Sequence, residues 1–82
     1  MLYKGIVCHL TEDSAFIRLE NGAYVEVATN KVEQGDDIGG IPNVTGKIAK
    51  LINYTTGQTF TAEVVEANLS ERAYLGYTKN AL

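Results

Sequence analysis

The chain has one cysteine, one histidine and one proline among its 82 residues. A lone cysteine excludes an internal disulfide, and no Cys/His cluster is spaced to hold a structural zinc. A chain this short buries a modest core and is commonly helped by disulfides, a metal or oligomerisation. Self-association is the aid that the composition leaves open. Basic runs are missing as well. Seven Lys and Arg are scattered among ten Asp and Glu, for a net charge of -3. That balance speaks against a phosphate-binding surface, which usually carries a basic excess. No apolar run approaches a membrane span. The opening "MLYKGIVCHL" lacks the charged region, apolar core and small-residue cleavage site of a secretory signal. With the unpaired thiol, this gives the expectation of a cytoplasmic protein, or of a particle assembled in the cytoplasm. No linker or low-complexity segment interrupts the chain, so residues 1–82 are expected to form a single small β domain.

What is present reads as strands and turns. Val, Ile, Thr and Tyr recur in short apolar stretches separated by Asn, Gly, Asp and Thr. In "FIRLENGAYVEV", Phe16 to Val27, a two-residue Asn-Gly loop would set Ile17 against Glu26. A three-residue loop, Glu20 to Gly22, pairs Leu19 with Ala23, Ile17 with Val25 and Ala15 with Val27. It also puts Gly22 in the left-handed position of a type I turn followed by a bulge. The buried face selects the second register. Extended through the polar turn Thr11 to Ser14, the same rule pairs Leu10 with Ala15, Cys8 with Ile17 and Ile6 with Leu19. The expected inner face is therefore Ile6, Cys8, Leu10, Ala15, Ile17, Leu19, Ala23, Val25 and Val27. Val7, His9, Phe16, Arg18, Tyr24 and Glu26 face out.

The second half offers a hairpin around Thr55, Thr56 and Gly57. A three-residue loop there pairs Ile52 with Phe60 and Ile48 with Val64. Between the halves, residues 30–46 carry the glycines at 35, 39, 40 and 46 and the proline. They read as a long connection with a short strand at Asp37 and Ile38. In the tail, Ser70 is able to cap a helical turn, but the tyrosine-rich "AYLGYT" and Gly76 favour a last strand over Arg72 to Thr78. The expected fold is all-β, a small five- or six-stranded barrel or sandwich. It is built from an N-terminal three-stranded meander and a C-terminal hairpin, and closure removes exposed edges.

Signals for chemistry are few. His9 has no serine or carboxylate partner at a motif spacing. Cys8 is placed inward, as a small hydrophobe. The acidic residues Glu33, Asp36 and Asp37, and the pair Glu12 and Asp13, match no calcium loop. The glycines of the connection match no phosphate-binding loop. No catalytic residue, metal or cofactor is expected. The feature with functional weight is the outer face of the meander, where Val7, His9, Phe16, Arg18 and Tyr24 form a partly aromatic patch. Either the chain's own tail, with Tyr74 and Tyr77, covers it as a second core layer, or it is an interface. The expectation is the interface, with Phe16, Arg18 and Tyr24 covered by a protein partner or a second copy of the chain. Stacked nucleobases suit aromatics with an arginine, but the net negative charge makes nucleic acid the least favoured partner.

Two resemblances bear on this. The stretch from Tyr3 to Ile38 resembles the N-terminal domain of RsgI-type anti-sigma factors. The matching residues are Lys4-Gly5-Ile6-Val7, the strand from Ala15 to the Gly22 turn, the strand Tyr24 to Val27, and Gly35-Asp36-Asp37-Ile38. That resemblance implies a small β-barrel that binds a sigma factor. Residues 39–82 lie outside it. The "LENG" turn is also similar to the OB-type barrels of initiation factor 1 and ribosomal S1 domains, which implies single-strand nucleic-acid binding. By analogy alone, small acidic β proteins with glycine-rich loops also occur among phage accessory and structural proteins. The expected function is a non-enzymatic interaction module acting through protein–protein contacts, as a homo-oligomer.

Overall fold

A computed structural model describes residues 1–80. It is built from β1 (Leu2–Leu10), β2 (Ala15–Leu19), β3 (Tyr24–Val27), β4 (Asp37–Pro42), β5 (Ile48–Asn53), β6 (Gln58–Leu69) and α1 (Glu71–Asn80). The six strands close into a barrel in the order β1-β2-β3-β6-β5-β4. Every neighbouring pair is antiparallel, including the closing pair β1 and β4. The barrel is thus two three-stranded meanders joined along both edges, which leaves no strand edge unpaired.

The β2–β3 hairpin has the register that the turn and the apolar alternation require. Ile17 pairs with Val25 and Ala15 with Val27. Gly22 sits at a φ of 89° and its amide donates to the Leu19 carbonyl. That backbone conformation is open to glycine at little cost.

β1 departs from the expected register. Leu10 pairs with Ala15, as expected, but a bulge between Val7 and His9 shifts the rest by one residue. Val7 therefore meets Ile17, and Gly5 meets Leu19. Val7 lies in the core while Ile6 is 41% exposed. This reverses the expected placement of Ile6 and Val7, and Cys8 turns away from the barrel interior with the bulge. The cause is visible at Gly5. A Cβ built there would stand 2.5 Å from the Arg18 carbonyl oxygen and 2.7 Å from Ile17 Cγ2. β1 and β2 approach so closely at this point that only a glycine can face inward.

The second hairpin is also offset by one. Leu51 pairs with Phe60 and Asn53 with Gln58, so the loop is Tyr54 to Gly57. Leu51 and Asn53 face inward, where Ile52 was expected. Gly57 keeps a positive φ of 80° in the longer loop. β4 is a full barrel strand of six residues, longer than the expected pair at Asp37 and Ile38. The tail forms α1 where a strand was expected. Ser70 caps it: Oγ accepts from the Ala73 amide at 3.1 Å, and the Ser70 carbonyl accepts from the Tyr74 amide.

The interior is filled. Ile17, Val25, Val27, Ile38, Ile41 and Val64 have no exposed surface. One polar pair closes an end of it. The Asn53 side chain donates to Asp36 Oδ2 at 2.8 Å. The same oxygen accepts from the Glu33 amide at 2.9 Å, and Asn53 Oδ1 accepts from the Thr55 amide at 2.9 Å.

Candidate functional site

The barrel interior is occupied by side chains, so the candidate site is sought on the outside. The outer face of β1, β2 and β3 carries two adjoining features, a helix-covered aromatic cluster and an open groove.

Phe16, Tyr24 and Leu69 form a second small core outside the barrel, with Cys8, Ala73 and Tyr74 packed against it. Tyr74 stacks on Tyr24 with centroids 4.2 Å apart and meets Phe16 edge-on at 5.6 Å. Tyr77 lies 6.2 Å from Phe16. The cover is the chain's own helix. It leaves Phe16 3% and Tyr24 6% exposed, which corrects the expectation that another chain covers them. Cys8 donates its thiol proton to the Phe16 carbonyl at 3.3 Å. Burial pushes the Tyr74 hydroxyl well above the ordinary tyrosine range, and its hydrogen bond to Cys8 adds to the rise. Tyr24 is raised chiefly by burial, with the nearby Glu71 carboxylate contributing.

The groove lies beside this cluster. It has a volume of about 440 Å³ and is lined by Lys4, Gly5, Ile6, Arg18, Leu19, Glu20, Gly22 and Asp37. The cross-strand pairs Ile6–Arg18 and Ile6–Asp37 bring three strands together in it. Ile6 supplies an apolar centre that β1 exposes only because of the bulge. Lys4 and Arg18 stand against Glu20 and Asp37, so both signs of charge rim it. Lys4 and Glu20 are locked side by side. The Glu20 amide donates to the Lys4 carbonyl at 2.9 Å, and the Lys4 amide donates to the Glu20 carboxylate at 3.3 Å. Lys4 Nζ also lies 5.1 Å from the centre of the Tyr54 ring.

Of the five residues expected at an interface, Val7 belongs to the barrel core and Phe16 and Tyr24 to the core beneath α1. His9 is half-buried beside Phe16, with centroids 6.1 Å apart. Arg18 alone is both exposed and in the groove. Lys4, Ile6, Glu20 and Asp37 were missed. Alternation along the sequence puts Ile6 inward, and the others become neighbours only through the β1–β2 and β1–β4 registers.

Elsewhere the polar side chains build structure. Ser14 Oγ donates to Glu26 Oε2 at 2.8 Å, and the Ser14 amide donates to Thr11 Oγ1, which clasps the β1–β2 turn. Among the described residues, no three His, Cys, Asp or Glu side chains converge as metal ligands. No helix there is long and apolar enough to cross a membrane. No family of known proteins, no curated protein and no solved structure matches the chain.

Proposed function

We propose that this chain is a non-enzymatic interaction module that acts through protein–protein contacts, made by the groove around Ile6 and Arg18. The observation that carries this reading is the composition of the groove. An exposed branched aliphatic side chain, Ile6, and an arginine, Arg18, line it together with Lys4, Glu20 and Asp37, so charges of both signs surround an apolar residue. Interfaces favour this arrangement, with an apolar or arginine anchor in a recess and a polar rim that fixes orientation. A second copy of the chain or a different protein can supply the partner surface. Regulation of the anti-sigma kind and a phage accessory or structural role both belong to this class. The first draws support from the resemblance of Tyr3 to Ile38, a segment that spans β1, β2, β3 and the start of β4.

A second reading is single-strand nucleic-acid binding. It is favoured by Lys4 over the Tyr54 ring with Arg18 on the same side of the barrel. Against it stand Glu20 and Asp37 in the groove and the net charge of -3. OB-type barrels have five strands, and this one has six.

The double substitution Ile6→Asp with Arg18→Glu tests the first reading. Both side chains are exposed, so the folded β spectrum is expected to persist while oligomer mass or partner binding falls. Unchanged mass and binding would count against the groove. Titration with a single-stranded oligonucleotide separates the second reading, because binding through phosphates must weaken steeply with salt.

A further inference from the structure

The junction between β6 and α1 is short and strained. β6 ends at Leu69 and α1 begins at Glu71, so Ser70 is the whole connection. Two residues before it, at the penultimate position of β6, Asn68 has a φ of 53°. Asn68 is the one non-glycine residue with positive φ among those described. Asparagine tolerates that region better than most side chains, but at a cost that glycine avoids. The bend is held from outside by the β4–β5 loop. Asn43 Oδ1 accepts from the Asn68 amide at 2.7 Å, and Thr45 Oγ1 accepts from the Ala67 amide at 3.1 Å.

The helix beyond the bend does not stand alone. It has ten residues with Gly76 inside it, and an isolated helix of that length is marginal in water. Its attachment runs through side chains, chiefly Tyr74 on Tyr24 and Phe16, and Tyr77 on Phe16. The barrel closes without it. A short, strained hinge next to an element seated by a few side chains is the arrangement that favours exchange of that element between copies.

We propose that α1 is exchangeable: it leaves its own barrel by straightening at Asn68 and takes the same aromatic seat on a second copy, which returns its own α1 to form a two-fold dimer. The occupant of the Phe16–Tyr24–Cys8 seat is then Tyr74 of the partner copy. Every contact of the seat is kept, and the left-handed residue is relieved in both chains. This inference is independent of the groove, which lies beside the seat.

The hinge gives substitutions with opposite expectations. Asn68→Val disfavours the bent form, since a β-branched residue fits positive φ poorly. It is expected to raise the dimerisation constant about tenfold per hinge, roughly a hundredfold in all. Asn68→Gly relaxes the bend and is expected to lower it. Light scattering across a concentration series reads the mass, and labelling of Cys8 with a thiol reagent reads whether the seat is covered. The proposal requires a dimer in Asn68→Val whose Cys8 is as shielded as in the parent chain. A monomer with reactive Cys8 shows that the helix merely undocks, and overturns the proposal. A monomer with shielded Cys8 overturns it too. Should Asn68→Val not fold, Asn43→Ala removes the acceptor that holds the bend and is expected to shift the mass in the same direction. An Asn43→Ala chain that stays monomeric at all concentrations is then the contradicting result.

Discussion

Tyr74 lies flat on Tyr24, with ring planes 6° apart and centroids separated by 4.2 Å. With the contacts of Tyr74 and Tyr77 on Phe16, it joins the C-terminal helix to the meander. Together these contacts explain why Phe16 on β2 and Tyr24 on β3, both on the outer side of the barrel, are dry. Tyr74→Ala is expected to destabilise the protein by about 2 kcal/mol, from lost stacking and burial. It should also make Cys8 reactive toward thiol reagents while the β spectrum persists. Chemical denaturation and Cys8 labelling check both parts. Unchanged labelling would mean that α1 does not shield the thiol.

The same pair sets an alkaline limit. Both hydroxyls hold their protons more tightly in the folded protein than in the unfolded chain. The corresponding stabilisation is complete below the ordinary tyrosine value of 10.0. It is lost as the pH climbs above that value toward the raised folded ones. Thermal melting should therefore drop on the alkaline side of that value. Tyr74→Phe cannot ionise at this position and is expected to show a smaller drop. An equal drop in the two proteins would contradict this assignment.

Gly5 is expected to be intolerant of the smallest side chain. An added Cβ meets backbone at the Arg18 carbonyl, which cannot swing aside. Gly5→Ala should cost about 2 kcal/mol or more in a urea melt, as overpacking of a core commonly does. A neutral Gly5→Ala would mean that β1 and β2 separate there more easily than their pairing implies.

Asn53 is 1% exposed and serves both the Asp36 carboxylate and the amide of Thr55. Asn53→Leu keeps a similar volume but strands those groups. A loss of about 3 kcal/mol is expected, because buried polar groups are left unpaired. A stable Asn53→Leu protein would show that water replaces the amide without penalty.

The legible parts of this fold are those where local and long-range signals agree. The β2–β3 hairpin was readable because Gly22 and the alternation of Ile17, Leu19, Val25 and Val27 select one register. In β1, "IVCHL" carries apolar residues on both faces, so alternation alone does not locate the bulge at Cys8. The second hairpin slipped by one because Gly57 ends a three- or a four-residue loop equally well, and because Asn53 is a polar residue in a core position. In the tail, tyrosine content argued for a strand, yet the Ser70 cap and the waiting Phe16–Tyr24 surface favoured a helix. The groove was the least legible feature. Arg18 could be placed facing out, but Lys4, Glu20 and Asp37 lie on or next to three strands and meet only when the barrel closes.

A photo-crosslinking amino acid at position 18 tests the proposed contact most directly, with an exposed position on β6, Thr61, as the control. In the cells that make the protein, the account predicts a discrete covalent protein adduct from position 18. Ile6→Asp in the same chain should abolish it, and position 61 should not produce it. No adduct from position 18, or the same adducts from both positions, would contradict a protein contact through the groove.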